Sequence, residues 1–220
     1  MKDIIIIGTG AVAAELTSYI EDNNRAFSNK NKVNIVGYID YKDNIEKYWR
    51  KYKFSVPVIC DIDEYSPIKD EQVIIGVSNI KFRNKLIKKL KYKKATFASF
   101  IHHSTIIPKS ARIGVGNIIY PNCIIGPNTT LGDFNIITSY SFISHDCMIG
   151  NGNFFSTAGI AGRVTILDNN FFGIRSTVIP SIEIGSNNII QAGMVVDKNI
   201  NDNTTIFYRF REKIIAIPKS

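Results

Sequence analysis

Cysteine is scarce in this chain of 220 residues: Cys60, Cys123 and Cys147 make an odd number with no CxxC spacing. That excludes a disulfide framework and points to a reducing compartment, the cytoplasm by default. Histidine is as rare. His102 and His103 adjoin, and His145 lies more than two eighteen-residue coils away, so the spacing supplies no zinc ligand set and no metal is expected. No stretch approaches the ~18 apolar residues of a membrane span. Met1-Lys2-Asp3 leads into only four isoleucines before a glycine turn, which reads as a buried strand rather than a signal peptide. No Gly-x-Ser-x-Gly element is present, which removes the hydrolase nucleophile turn. Acidic residues are outnumbered 19 to 27, for a net charge of +8. Most of that excess lies between Lys81 and Lys94, where Phe82, Leu86, Ile87 and Leu90 fall at helical spacing. The segment reads as an amphipathic helix with a solvated basic face, including Arg83, rather than a nucleic-acid surface.

What is present begins with strand, glycine turn and helix: Ile4–Ile7, then Gly8-Thr9-Gly10-Ala11-Val12-Ala13. Such a turn lets backbone approach a phosphate, and the helix N-terminus offers unpaired N–H groups. A second strand, Asn34–Ile39, ends at Asp40, whose carboxylate is placed to accept hydrogen bonds from a ribose or base. Val56–Ile59 and Gln72–Val77 supply two more strands, the latter leading through Ser78-Asn79 into the basic helix. Alternation of strand and helix predicts a small parallel α/β domain over residues 1–97. A dinucleotide fold needs a second half of similar size, and the pattern changes before one could form. A nucleotide or nucleotide sugar is therefore favoured over NAD.

From Ile101 an aliphatic residue returns every six positions: Ile107, Ile113, Ile119, Ile125, Leu131, Ile137, Ile143, Ile149 and Phe155. Four residues after each stands a small or turn-forming one, among them Asn117, Cys123, Asn135, Ser141, Cys147, Asn153 and Gly159. A six-residue period predicts a parallel β-helix over residues 98–220, with the aliphatic residue inward and the small one at the corner. The frame then slips by one residue near Gly159, and Phe154, Ile160, Ile166, Phe172, Val178, Ile184, Ile190 and Val196 continue it. Ile206-Phe207-Tyr208 reads as a last strand over the open end.

His145 stands two residues after the inward Ile143, so it points out of the coil, and Asp146 follows it. A carboxylate on one ring nitrogen fixes the tautomer and frees the other nitrogen as a base, a role for which imidazole is suited at neutral pH. Cys123 and Cys147 hold corner positions and read as packing.

The glycine-turn domain, then Phe100-Ile101-His102-His103-Ser104-Thr105, then coils carrying Ile143-Ser144-His145-Asp146-Cys147-Met148-Ile149-Gly150, resembles the NeuD/PglD family of sugar acyltransferases over nearly the whole chain. The resemblance implies a left-handed β-helix, a homotrimer with active sites between subunits, and acetyl transfer from acetyl-CoA. It implies His145 as general base, Asp146 as its orienting partner, and nucleotide-sugar contacts at Gly8, Thr9, Gly10, Asp40, Tyr41, Ser78 and Asn79. Coenzyme A would run along the later coils, at Phe154, Ala158, Gly159, Gly173, Ala192 and Gly193. Three positions depart from the family: Phe154 stands where amino-sugar members carry a second histidine and Thr138 where they carry asparagine. Tyr208-Arg209-Phe210-Arg211 replaces a Gly-Val-Pro-Ala-like turn.

The expected reaction is N-acetylation of the 4-amino group of a UDP- or dTDP-linked amino-dideoxy sugar in surface-glycan (O-antigen type) synthesis. Transfer would be direct, with a backbone N–H on the oxyanion. The alternatives are a sialic acid-type O-acetyltransferase, a non-catalytic trimeric binding protein and a nicotinamide oxidoreductase.

Overall fold

A computed structural model describes residues 2–28 and 32–208, with 49 and 50 by backbone alone. Its N-terminal part is a five-stranded, all-parallel sheet in the order β3-β2-β1-β4-β5. The strands are β1 (Lys2–Ile7), β2 (Val33–Asp40), β3 (Val58–Asp61), β4 (Gln72–Ile75) and β5 (Thr96–Phe97). Helices α1 (Ala11–Ala26), α2 (Lys42–Tyr52) and α3 (Ile80–Tyr92) complete it. The four isoleucines of β1 are all buried, as a central strand covered on both faces requires. Ile4 and Ile6 pack with α1, Ile5 and Ile7 with α3.

One element is added to the sequence reading and one reading changes. Helix α2 fills the stretch between β2 and β3. Arg83, placed by its lysine neighbours on a solvated face, is 1% exposed. Its guanidinium turns inward and donates to the carbonyls of Gly152 (2.6 Å), Asn153 (3.3 Å) and Val77 (3.2 Å), and its Nε finds no acceptor among the described residues. Burial lowers its pKa to about 10.

Three residues after β5 the chain enters a β-helix of two-residue strands, β6 (Phe100–Ile101) through β22 (Thr205–Ile206). They stack into three parallel sheets. Sheet I runs from Arg112–Ile113 to Glu183–Ile184, sheet II from Phe100–Ile101 to Thr205–Ile206, and sheet III from Ile124–Ile125 to Val195–Val196. The second residue of each strand forms the inner column, and from Ile119 to Val196 all are buried. The small residues fill the corners: Asn117, Cys123, Thr129, Asn135, Ser141, Cys147 and Asn153 are at most 1% exposed. At each corner one residue takes a left-handed conformation, and the positions recur every six residues: Asn122, Asn128, Phe134, Tyr140, Asp146 and Gly152. A bulky residue at positive φ is costly. Backbone bonds between rungs hold it there, such as Asp146 N to Pro127 O at 2.9 Å.

The slip is a missing corner residue. The left-handed residue stands three places after the inward one everywhere from Ile119 to Ile149, yet Thr157 follows Phe155 by only two. Rungs across this corner pair at 17 residues rather than 18, and Thr138 Oγ1 accepts from Thr157 N at 2.9 Å to brace it. The inner column therefore runs Phe155 to Ile160. Phe154 points outward, against the reading that it continues the column, and Ala158 rather than Gly159 is the corner residue. Sheet II carries the N-terminal domain: Phe100, Ile118, Ile136 and Phe154 share one cluster with Ile4, Ile6, Val12 and Leu16.

The last strand is Thr205–Ile206, paired with Ile189–Ile190; of the expected Ile206-Phe207-Tyr208 strand only Ile206 belongs to it. Beyond Tyr208 the unusual C-terminal segment lies outside the described residues. Among the described residues no helix is long and apolar enough to cross a membrane.

Candidate active site

Two features are candidates for the chemistry, and the fold sets them apart. The first is the corner between sheets III and I. Ile143 turns inward, Ser144 leads around the bend, and the left-handed Asp146 (φ 58°) projects its carboxylate back onto the preceding imidazole. His145 Nδ1 and Asp146 Oδ2 are 2.7 Å apart, and each side chain is 48% exposed. Asn128, one rung above, donates to the other oxygen at 3.2 Å. The His145 bond first, then the Asn128 bond, hold the Asp146 carboxyl below the usual carboxylate range. With Nδ1 committed as donor, Nε2 carries the free lone pair.

What lies under that nitrogen escaped sequence reasoning. At Gly162, on the next rung, a Cβ would sit 2.5 Å from His145 Nε2, so a side chain there displaces the imidazole. Gly126, on the rung above, is held to glycine by backbone, since its Cβ would meet the carbonyl carbon of Ser144 at 2.5 Å. Both become legible only after counting one coil either way, and only one of those coils has the regular length. Cys147 points inward, donates to Ala161 O at 3.1 Å, and burial pushes its thiol up; it packs, as expected.

The second feature is a cavity of about 720 Å³ at the C-terminal ends of the parallel strands. It opens where the strand order reverses between β1 and β4, the place where open parallel sheets bind ligands. Gly8, Gly10, Asp40, Tyr41, Ser78 and Asn79 line it, and so do the aromatic rings of Tyr48, Tyr52 and Phe82. Gly8 has φ 110° and faces Gly76 O, whose distance from a Cβ would be 3.0 Å. Gly10 caps α1 without any side-chain acceptor, leaving first-turn N–H groups toward the cavity.

Two of the expected contacts are spent inside the protein. Thr9 is fully buried, and both its N (2.8 Å) and Oγ1 (2.9 Å) donate to Asp40 Oδ2. Asp40 Oδ1 accepts from Tyr41 N (2.8 Å) and Asn44 Nδ2 (2.9 Å). With four donors already on it, the Asp40 carboxylate clamps the glycine turn rather than presenting a free acceptor to a ribose or base.

The later-coil positions divide. Gly173, Ala192 and Gly193 meet at the corner between sheets II and III, where Gly193 is exposed and a Cβ would meet nothing. Gly159 lies on the outer side of sheet III, against the Phe142 ring. Ala158 is inside the β-helix, 1% exposed. Phe154 stacks on Phe171 (5.4 Å between ring centroids) under the N-terminal domain. Neither of these two side chains reaches the surface the coenzyme was expected to follow.

No family model matches the chain. It is 26% identical over 149 residues to YvoF of Bacillus subtilis, named as an acetyltransferase, covering 68% of this chain and 69% of that one. It is 29% identical over 105 residues to the GDP-perosamine N-acetyltransferase of Escherichia coli O157:H7, spanning 47% of this chain and about half (48%) of the relative. The crystal structure of PerB from Caulobacter crescentus, in complex with CoA and GDP-perosamine, superposes with a TM-score of 0.73 at 23% identity, over 93% of each chain. The chain shares the fold of these solved structures, an α/β part followed by a left-handed β-helix of hexapeptide coils, and the relatives it resembles in sequence are named acetyltransferases. Its two-part plan is similar to that of the NeuD/PglD-like sugar acetyltransferases.

Proposed function

We propose that the protein transfers the acetyl group of acetyl-CoA to the amino group of a nucleotide-linked amino sugar used in surface-glycan synthesis. The observation that carries this is the half-exposed His145–Asp146 pair, with Nδ1 held at 2.7 Å and Nε2 beside Gly162, where a Cβ would crowd it. The acceptor nitrogen attacks the thioester carbonyl carbon while His145 Nε2 takes its proton. The C–S bond then breaks, and the departing CoA thiolate is protonated in turn. Asp146 stabilises the imidazolium that forms between those steps. Two ligands held in line make the transfer effectively unimolecular.

The nucleotide half fits the 720 Å³ cavity, with phosphate on the N-terminus of α1 and aromatic side chains beside the base. That cavity belongs to the domain covering sheet II, while His145 stands on the corner between sheets III and I, so one chain does not bring them together. A trimer with sites between subunits solves this by setting one copy's cavity against its neighbour's histidine. The half-exposed Ile124, Phe142 and Val195 along sheet III offer the apolar surface such packing needs. Coenzyme A would follow the same groove past Gly159, Gly173, Ala192 and Gly193.

The test offers acetyl-CoA with UDP-, dTDP- and GDP-linked 4-amino sugars and follows free thiol. Release with one of the three is expected. Release with sialic acid alone would turn the reading to O-acetylation, and no release with any acceptor would leave a binding protein.

A further inference from the structure

We propose that Asp22, His102 and His103 form a binding site for a zinc-class divalent cation at the junction of the two domains, apart from the acyl-transfer site. Asp22 comes from the last turns of α1, and the two histidines from the end of the first β-helix strand, 80 residues later. One ligand atom from each lies within 4.8 Å of the others. His102 Nε2 and Asp22 Oδ2 are 3.0 Å apart. Two ligands at ~2.0–2.1 Å from a tetrahedral zinc stand ~3.3 Å apart, so this pair is nearly at ligating distance already.

The surroundings suit a ligand set. His102 is 3% exposed, and contacts on both ring nitrogens hold its imidazole in one orientation. Its second nitrogen, Nδ1, meets Ser104 Oγ at 2.8 Å, the orienting contact that ligating histidines make on the side away from the metal. In the present arrangement the Nε2 proton bonds Asp22. A cation takes that place as the imidazole changes tautomer: the Nε2 proton is given up to water, Nδ1 takes one proton from water, and Nδ1–H then donates to Ser104 Oγ. His103 is exposed and its ring lies 4.3 Å from that of His102, with Nδ1 on Asn23 Oδ1 at 3.1 Å, an exchangeable contact. Arg25 pairs with the other Asp22 oxygen at 2.9 Å, yet its side chain is 72% exposed and free to withdraw from the added charge. Two imidazoles and one carboxylate, with a position left for water, select zinc over magnesium.

The experiment titrates tag-free, chelator-stripped protein with zinc chloride and, separately, magnesium chloride, by calorimetry and thermal shift. One zinc per chain, a raised thermal midpoint and no response to magnesium are expected. His103→Ala and Asp22→Asn should each weaken zinc binding by at least about tenfold, whereas His145→Ala should bind as the wild type does. His103 is exposed, so its replacement tests the site without risking the fold. The proposal is overturned by absence of saturable zinc binding, by unchanged affinity in His103→Ala, or by loss of binding in His145→Ala alone.

Discussion

The corner at His145 and the domain junction at His102 each hold a histidine against an aspartate, and the two settings are opposite. His145 and Asp146 are chain neighbours, each 48% exposed, with Nδ1 bonded to the carboxylate and Nε2 without a protein partner among the described residues. His102 is 3% exposed, its aspartate lies 80 residues away in another domain, and both its nitrogens are engaged. A proton acceptor for a substrate must keep one nitrogen accessible; a fastening between domains must not. The same pair of side chains thus has the setting the proposed base needs in one place and a setting for cohesion in the other. The differences are burial and the second nitrogen's partner.

The sharpest way to break this comparison is to remove each histidine in turn. His145→Ala should lower kcat/KM by about 10²- to 10⁴-fold, the usual worth of a general base, with circular dichroism and oligomeric state unchanged. His102→Ala should leave turnover within a few-fold. Equal losses of activity in both would erase the distinction.

A second step keeps His145 and disturbs only its footing. Gly162→Ala places a methyl group 2.5 Å from where Nε2 now sits, and the ring, half exposed, is what yields. Turnover should fall about 10- to 100-fold, as misplacement of a reacting group by ~1 Å does, while the thermal midpoint barely moves. A variant with full activity would show that the rung beneath His145 leaves the ring's position unset.

How much of this was legible beforehand follows the range of the forces involved. The β-helix could be read because each hexad buries its own aliphatic residue, and His145 could be placed outward by counting two from Ile143. Phe154 and Phe155 could not be told apart by type. The missing residue sits at the Ser156-Thr157 corner, and the outward Phe154 is buried too, because another domain covers it. Asp40 was misread for a similar reason, since its four donors come from Thr9, Tyr41 and Asn44, brought to it by the turn and by α2. Arg83 looks like one more cation of a basic helix until the carbonyls of Gly152 and Asn153 arrive from the β-helix. Asp22 has no local pattern at all; only docking of α1 beside the first coil gives it its histidines.

The junction pair should show itself in stability. In chelator, His102→Ala loses two part-buried hydrogen bonds, each worth about 1 kcal/mol net, which in a chain of this size moves the thermal midpoint down by about 4–8 °C. An unchanged midpoint would mean that the domains are held by the apolar surface of sheet II alone.

The smallest effect concerns Asp146 and pH. Its folded pKa is depressed by the bond to His145, so the stabilisation it brings is complete above the unfolded value near 3.8 and fades as pH falls through the lower folded value. Asp146→Asn lacks that contribution at every pH. The gap between the thermal midpoints of wild type and variant should therefore hold steady above about pH 5 and close below 3.8. Because both side chains are half exposed, solvent screens the pair and the gap should be small. A gap that instead widened on acidification would mean that the carboxylate is not the partner that the 2.7 Å contact makes it.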